Sequence, residues 1–212
     1  MIPKTIVFDL DDTIIKEIDY LKSAFQEIAH DLDSNNKTLF DNMMQWYYSK
    51  ENVFLNLQKL YKNCSILDLK NKYRNHFPNF DSNSQNRELL LELKKEGHFL
   101  GVITDGYSIT QRNKLKALNI ENIFDLIIIS EEFGSEKPTE ANYVVFDQFN
   151  TKEKIYIGDN TVKDFITPNR LGWTTICLLD NGENIHTQDF NKDSIYLPKY
   201  KLIKLSELKN II

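Results

Sequence analysis

Cysteine is scarce: the 212 residues contain two, Cys64 and Cys177, far apart and outside any CxxC or histidine-rich spacing. That excludes a disulfide framework and a structural zinc site, and both thiols are expected to be free and buried. Glycine and proline are also sparse, at 7 and 5, which excludes disordered and low-complexity chains. No apolar run approaches the ~20 residues needed to span a bilayer. The start of the chain lacks a basic flank, a long apolar stretch and a small-residue cleavage site, so a cytoplasmic location without membrane contact is expected. Basic residues do not dominate: 26 Lys and Arg against 31 Asp and Glu leave a net charge of -5, which argues against a nucleic-acid partner. With 41% hydrophobic and 27% charged residues the composition is that of a globular chain. Its length exceeds one typical domain and falls short of two, which suits a core domain carrying an insertion.

What is present is a set of short apolar runs. "TIVFDL", "HFLGVIT", "FDLIIIS" and "KIYIGD" are hydrophobic on both faces, as parallel strands buried between helices must be, and "WTTICLL" follows as a fifth. Helical spacing predicts helices at Arg87 to Glu96, closed by a C-cap at Gly97, and at Ile109 to Leu118. Strand and helix alternate, so the fold class is α/β, a Rossmann-like doubly wound parallel sheet. From about Glu17 to Asp81 no β-rich run occurs, which predicts an inserted α-helical bundle with joints at Ile14 to Glu17 and Phe77 to Gln85. The expected division is a core of residues 1–16 and 83–212 and a helical domain of residues 17–82. Beyond Asp180 the sequence predicts a surface loop, a short strand near Ile195 and a terminal helix from near Ser206.

In such a sheet the functional edge is where the strands end. Asp9 and Asp11 follow the first strand, Thr104 and Asp105 the second, and Gly158, Asp159 and Asp164 the fourth. Lys137 precedes Pro138, read as the first residue of a helix near the same edge. Carboxylates gathered there would be driven toward protonation unless a cation neutralised them, and a hard ion such as Mg2+ suits an all-oxygen donor set. Asp9 is then positioned to attack a phosphorus centre, with Lys137 and the metal shielding the charge and Thr104 with backbone amides holding phosphoryl oxygens.

These residues carry a resemblance. "DLDDT" at Asp9 to Thr13, "ITDG" at Ile103 to Gly106, "EKP" at Glu136 to Pro138 and "GDNTVKD" at Gly158 to Asp164 occur in the order found in the haloacid dehalogenase superfamily of phosphohydrolases. Each motif alone is weak; the ordered set, at strand ends and helix starts across the core, is specific. The resemblance implies that Asp9 is the nucleophile, forming an aspartyl-phosphate, and that Asp11 protonates the leaving oxygen and then activates water. It implies Mg2+ binding by Asp9, the backbone carbonyl of Asp11 and Asp159, with Asp164 supporting the ligands rather than binding directly. It also implies phosphoryl contacts from Thr104, Asp105, Gly106 and Lys137, and makes the helical insertion a mobile cap. An acid at position 11 disfavours dehalogenation, since a halide needs no proton. Asp12 stands where "DLDGT" members have glycine, a poor guide to substrate.

Other residues have blander readings. Asp12 is expected in a solvated turn or hinge, with Thr13 stiffening the chain. Asp105 suits either an N-cap or the phosphate loop, and Asn160 either a helix cap or a contact to Asp9 or a metal-bound water. Met43, Trp46, Tyr47 and Tyr48 suit the bundle interior. His30, His76, His98 and His186 show no ligand spacing, and Arg112 and Arg170 suit surface ion pairs. The sequence thus predicts a Mg2+-dependent phosphatase for a small phosphorylated metabolite, a sugar phosphate or nucleoside monophosphate, acting as monomer or homodimer. A sugar-phosphate mutase and a silent phosphate-binding module are the alternatives.

Overall fold

In the computed structural model, which describes residues 2–80 and 85–212, the first apolar run becomes β1, Thr5–Phe8, buried at every position. Its neighbours are β2, Phe99–Thr104, and β4, Lys154–Gly158, both parallel to it. Outside β2 lies β3, Leu126–Ile129; outside β4 lie β5, Thr174–Leu178, and β6, Tyr200–Leu202. The order is therefore β3-β2-β1-β4-β5-β6. Alternation sends Ile6 and Phe8 to one face with Leu100, Val102 and Ile157, and Val7 to the other with Ile103, Tyr156 and Phe146. Both faces are apolar, which is why the strands read as unbroken hydrophobic runs. Gly101 sits where a Cβ would run into the Phe146 ring. The chain crosses from β1 to β2 on one side and returns to β4 on the other, so a crevice opens between the C-terminal ends of β1 and β4.

The stretch without strands forms α1, Glu17–Leu32, α2, Leu39–Tyr48, α3, Val53–Leu60, and α4, Ile66–Asn75. Asn52 and Ser65 cap the last two through their side-chain oxygens, which accept the Leu55 and Asp68 N–H groups. These helices bury a core of their own around Phe25, Ile28, Leu39, Met43 and Leu57. Trp46 and Tyr47 pack against it and Tyr48 is exposed, so the aromatic stripe is mainly bundle interior. The exit from α4 is tied back to α1: Ser23 Oγ lies 2.8 Å from His76 Nε2, the other ring nitrogen contacts Glu27, and the Asn79 N–H donates to Ser23 Oγ at 3.1 Å. The expected second joint, Phe77 to Gln85, and the boundary between 82 and 83 fall partly or wholly outside the described residues.

The remaining helices cover both faces of the sheet: α5, Gln85–Lys95, and α6, Ser108–Ala117, then α7, Ser130–Phe133, α8, Ala141–Val144, and α9, Ile166–Arg170. Gly97 follows α5 with φ +89°, the left-handed geometry of the expected stop. Three local expectations change. Pro138 does not open a helix: the Lys137–Pro138 bond is cis, the Lys137 N–H donates to Asp105 Oδ1 at 3.0 Å, the Pro138 carbonyl accepts from Thr167, and α8 begins at Ala141. Ile195 lies in a 3-10 turn, Ser194–Tyr196, not a strand. The side chain of Asn169 takes the Ile195 and Leu197 carbonyls, and Pro198 has no N–H to offer, so ladder pairing begins only at Tyr200. The terminal helix is a 3-10 helix, Leu205–Asn210.

Substituting Gly101→Ala should destabilise the fold by about 1–3 kcal/mol through overpacking, and Phe146→Leu in the same chain should recover part of that loss. Urea denaturation midpoints measure both, and an unchanged midpoint for the single variant would contradict the contact.

Candidate active site

Asp9 leaves β1 directly into the crevice. Its Oδ1 accepts the Leu10 N–H at 2.8 Å and lies 2.8 Å from Lys137 Nζ, while Oδ2 accepts no hydrogen bond among the described residues. Lys137 also reaches Asp164 Oδ1 at 2.8 Å and the Tyr156 hydroxyl at 3.3 Å. Burial works against charge on this lysine, but Asp164 and Asp9 outweigh it and push its pKa well up. Asp164 Oδ2 accepts the Asp159 and Asn160 N–H groups at 3.1 and 2.8 Å, so its carboxylate is fully engaged by protein. That close approach is open because residue 158 is glycine; a Cβ there would collide with Asp164.

Asp159 follows β4, and one of its oxygens accepts from Asn184 Nδ2 at 3.0 Å. Ligand atoms of Asp9, Asp159 and Asp164 lie within 4.8 Å of one another, all three residues buried. Burial first, and then mutual repulsion, push Asp159 up to about 8; burial also pushes Asp9 up to about 7 against the opposing pull of Lys137. A single lysine leaves this group short of positive charge. Among the described residues, Asp9 and Asp159 each keep an oxygen that no protein donor takes, a donor set that fits a small hard cation.

Asp11 stands apart from that cluster: Lys114 Nζ is 2.6 Å from its Oδ1, and Gln111 Nε2 donates to its Oδ2 at 2.9 Å. Gln111 also contacts the Thr104 hydroxyl. Asp105 is not a helix cap, since Tyr107 holds the position before α6. Its Oδ1 takes the Lys137 N–H and its Oδ2 pairs with Lys163 at 2.6 Å, so it braces two cationic residues. The Gly106 N–H donates to Ser130 Oγ at 2.9 Å. Asn160 Oδ1 accepts the Val162 N–H at 2.9 Å, closing the turn that follows β4.

Asp12 is buried rather than solvated. At φ +53° it holds a left-handed conformation that suits glycine, and its carboxylate accepts the Glu17 N–H at 3.1 Å and the Ile185 N–H at 3.0 Å. It thereby ties the first turn of α1 to the loop after β5. Thr13 Oγ1 is buried without a hydrogen-bond partner among the described residues. The loop beyond Asp180 is more than surface: Asp180 Oδ1 gathers the N–H groups of Gly182, Glu183 and Asn184, and Gln188 donates to the Asp159 carbonyl at 2.9 Å. Arg112 pairs with Glu121 and Glu132, as surface pairing implies.

Two cavities share Asp11, Glu17 and Asp105. The inner one, about 90 Å³, is lined by Asp9, Asp159, Thr104, Lys163 and His186 among others. The second, about 210 Å³, lies between α1, α4 and α6 and is lined by Tyr20, Tyr73, Arg74, Tyr107 and Lys114. The guanidinium of Arg74 stacks 4.0 Å from the Tyr107 ring centroid. Glu17, the first residue of α1, is pushed up to about 7, chiefly by Asp11 and then by burial. Glu17, Gln111, Lys114, Lys163 and Asn184 were not identifiable in the sequence; each is an ordinary helix or loop residue until the fold brings it to the crevice.

Residues 6–178 match the sequence profile of the haloacid dehalogenase-like hydrolases. The chain therefore belongs to that family. It is 28% identical to a glyceraldehyde 3-phosphate phosphatase of Methanocaldococcus jannaschii, over 99% of this chain and 96% of the relative. It is 25% identical to the protein of that name from Methanothermobacter thermautotrophicus, over 99% of both. Among solved structures, the magnesium-bound HAD-hydrolase YfnB of Bacillus subtilis superposes with a TM-score of 0.62 at 23% identity, covering 100% of this chain and 99% of that one.

Asp9 and Asp159 hold protons in the folded, metal-free protein to higher pH than in the unfolded chain, where the ordinary value is 3.8. From about pH 4 to about pH 8 the folded state binds more protons, so the contribution of these groups to stability falls as pH rises. In chelator, Asp159→Asn should therefore melt above the wild type by a margin that widens from pH 5 to pH 8. Thermal denaturation at both pH values measures that margin, and a constant margin would contradict the electrostatic account.

Proposed function

We propose that this protein is a Mg2+-dependent phosphomonoester hydrolase that works through a phosphorylated Asp9 on a small sugar phosphate, a triose phosphate being the first candidate. The observation carrying this reading is the buried Asp9, held at one oxygen by Lys137 and open at the other, with Asp11 two residues on at the same strand end. The names of the methanogen relatives support the substrate class. The chamber of about 210 Å³ under the helices adjoins Asp11 and leaves room there for a small leaving group.

In this reading Asp9 attacks phosphorus, the bond from phosphorus to the leaving oxygen breaks, and Asp11 delivers its proton to that oxygen. Water then attacks the phosphorus of the Asp9 acyl phosphate, Asp11 takes its proton, and inorganic phosphate leaves with both carboxyls restored. Thr104 and Lys137 hold phosphoryl oxygens, with Asp105 and Gly106 shaping the turn beside them. Asp9, Asp159 and the Asp11 carbonyl would hold Mg2+, and Asp164 would fix Asp159 through its backbone N–H. When bound, the ion supplies positive charge against the phosphoryl oxygens and the carboxylates. Residues 17–82 act as a cap over the core of residues 1–16 and 83–212, excluding water and selecting the leaving group.

No helix among the described residues is long and apolar enough to cross a membrane. The proposal is of a cytoplasmic enzyme, monomer or homodimer, for a small metabolite, with neither nucleic acid nor membrane as partner. Phosphate release from a panel of sugar phosphates and nucleoside monophosphates tests it, with Mg2+ and with chelator. Triose phosphates should rank high, chelator should abolish turnover, and Asp9→Asn should lower it by about 10³-fold or more with the fold retained. Residual activity near wild type in Asp9→Asn would remove Asp9 as nucleophile, and a folded wild type that releases no phosphate would favour a mutase or a silent phosphate-binding module.

A further inference from the structure

One face of α6 is buried although it is polar: Thr110, Gln111, Asn113 and Lys114 are each at most 9% exposed. Lysine is almost never buried this fully without a paired charge. Lys114 has one, since its ammonium lies 2.6 Å from Asp11 Oδ1, 4.0 Å from Glu17 Oε1 and 4.7 Å from the centroid of the Tyr20 ring. Gln111, one turn earlier, takes the other Asp11 oxygen at 2.9 Å and touches the Thr104 hydroxyl. Both oxygens of one carboxylate are thus held by a single helix. The same face docks the helical insertion: Thr110 Oγ1 donates to the Arg74 carbonyl at 2.9 Å, and Asn113 Nδ2 to the Asn75 and His76 carbonyls at 3.1 Å.

We propose that Lys114 and Gln111 are positioning residues for proton transfer, holding the Asp11 carboxyl where it can serve the leaving oxygen and then the attacking water. This rests on the reading of Asp11 as the acid and base of the reaction. A proton donor works only within about 2.6–3.2 Å of its acceptor, and Asp11 sits on a loop whose side chain would otherwise choose among rotamers. The two contacts remove that choice. Lys114 also stands beside the carboxylate left when the proton has gone, a counter-charge already in place and needing no reorganisation. Because Gln111 joins Asp11 to Thr104, the position of the acid is set relative to a residue that grips the phosphoryl group. Because Lys114 faces Glu17, and Thr110 and Asn113 hold the end of α4, the same helix registers the acid against the insertion.

The test separates proton transfer from binding by the leaving group. 4-Nitrophenolate departs without a proton, whereas a sugar alkoxide requires one. With the Mg2+-loaded protein, rapid-quench single-turnover kinetics should compare release of nitrophenolate from 4-nitrophenyl phosphate with release of alcohol from the best sugar phosphate. Lys114→Met should slow the sugar-phosphate reaction by about 100-fold with KM changed less than about threefold, while nitrophenolate release changes by less than about threefold. Asp11→Asn should show the same bias. Should Lys114→Met fail to fold, Gln111→Leu removes the second tether without leaving a charge unpaired and should give the same bias at about 10-fold. Equal losses on both substrates, a rise in KM with kcat retained, or no loss would each overturn the proposal, provided Asp11→Asn itself shows the bias. Absence of bias in Asp11→Asn, or a wild type inactive on both substrates, would instead remove the reading of the site on which it rests.

Discussion

The position of one ammonium group governs this molecule. Lys137 Nζ stands 2.8 Å from Asp9 and 2.8 Å from Asp164, in a site with almost no access to solvent. Without it, three buried carboxylates would face one another with no charge of opposite sign and be driven further toward protonation. Around it the constraints follow in sequence. Asp164 must reach Lys137 and two backbone N–H groups at once, so residue 158 has no side chain. Lys137 must enter from its own loop, so Asp105 holds its backbone N–H and the chain turns at Pro138 instead of continuing as a helix. Even then the charge is not balanced, and the oxygens left open on Asp9 and Asp159 are those a cation would take.

Much of this was legible before any coordinates. Doubly buried parallel strands have a plain signature, because no polar residue interrupts them, and their ends mark the crevice without further information. Asp9, Thr104, Lys137, Asp159 and Asp164 were therefore identifiable, and the structure brings them to one edge. The helical insertion was readable as the stretch from which β-rich runs are missing. What local pattern cannot carry is long-range pairing. Lys114 and Gln111 sit on a helix with no amphipathic contrast, where a lysine four residues from a threonine has the look of solvent exposure. Their burial depends on a helical insertion that arrives from residues far earlier in the chain. The missed details near Pro138 and Ile195 have the same origin: side chains of Asp105 and Asn169, remote in sequence, take backbone groups that regular structure would otherwise use.

The division of labour between sheet and insertion is visible in the kinds of contact each makes. Within the sheet, backbone ladders and interdigitated side chains fix position. Across the joint, polar groups predominate: Asp12 to the Glu17 N–H, Lys114 toward Glu17, and α6 to the end of α4. Polar contacts of this kind exchange with water at small net cost, whereas buried apolar packing does not. The insertion keeps its own apolar core and meets the core domain through these polar groups.

The contacts from Thr110 and Asn113 have one more property. They are addressed to main-chain carbonyls of Arg74, Asn75 and His76 and not to any side chain of the last helix in the insertion. Every amino acid brings the same carbonyl. Substitutions on that helix can therefore accumulate over evolutionary time without removing these three contacts, although the Arg74 side chain, stacked on Tyr107, bears on the core as well.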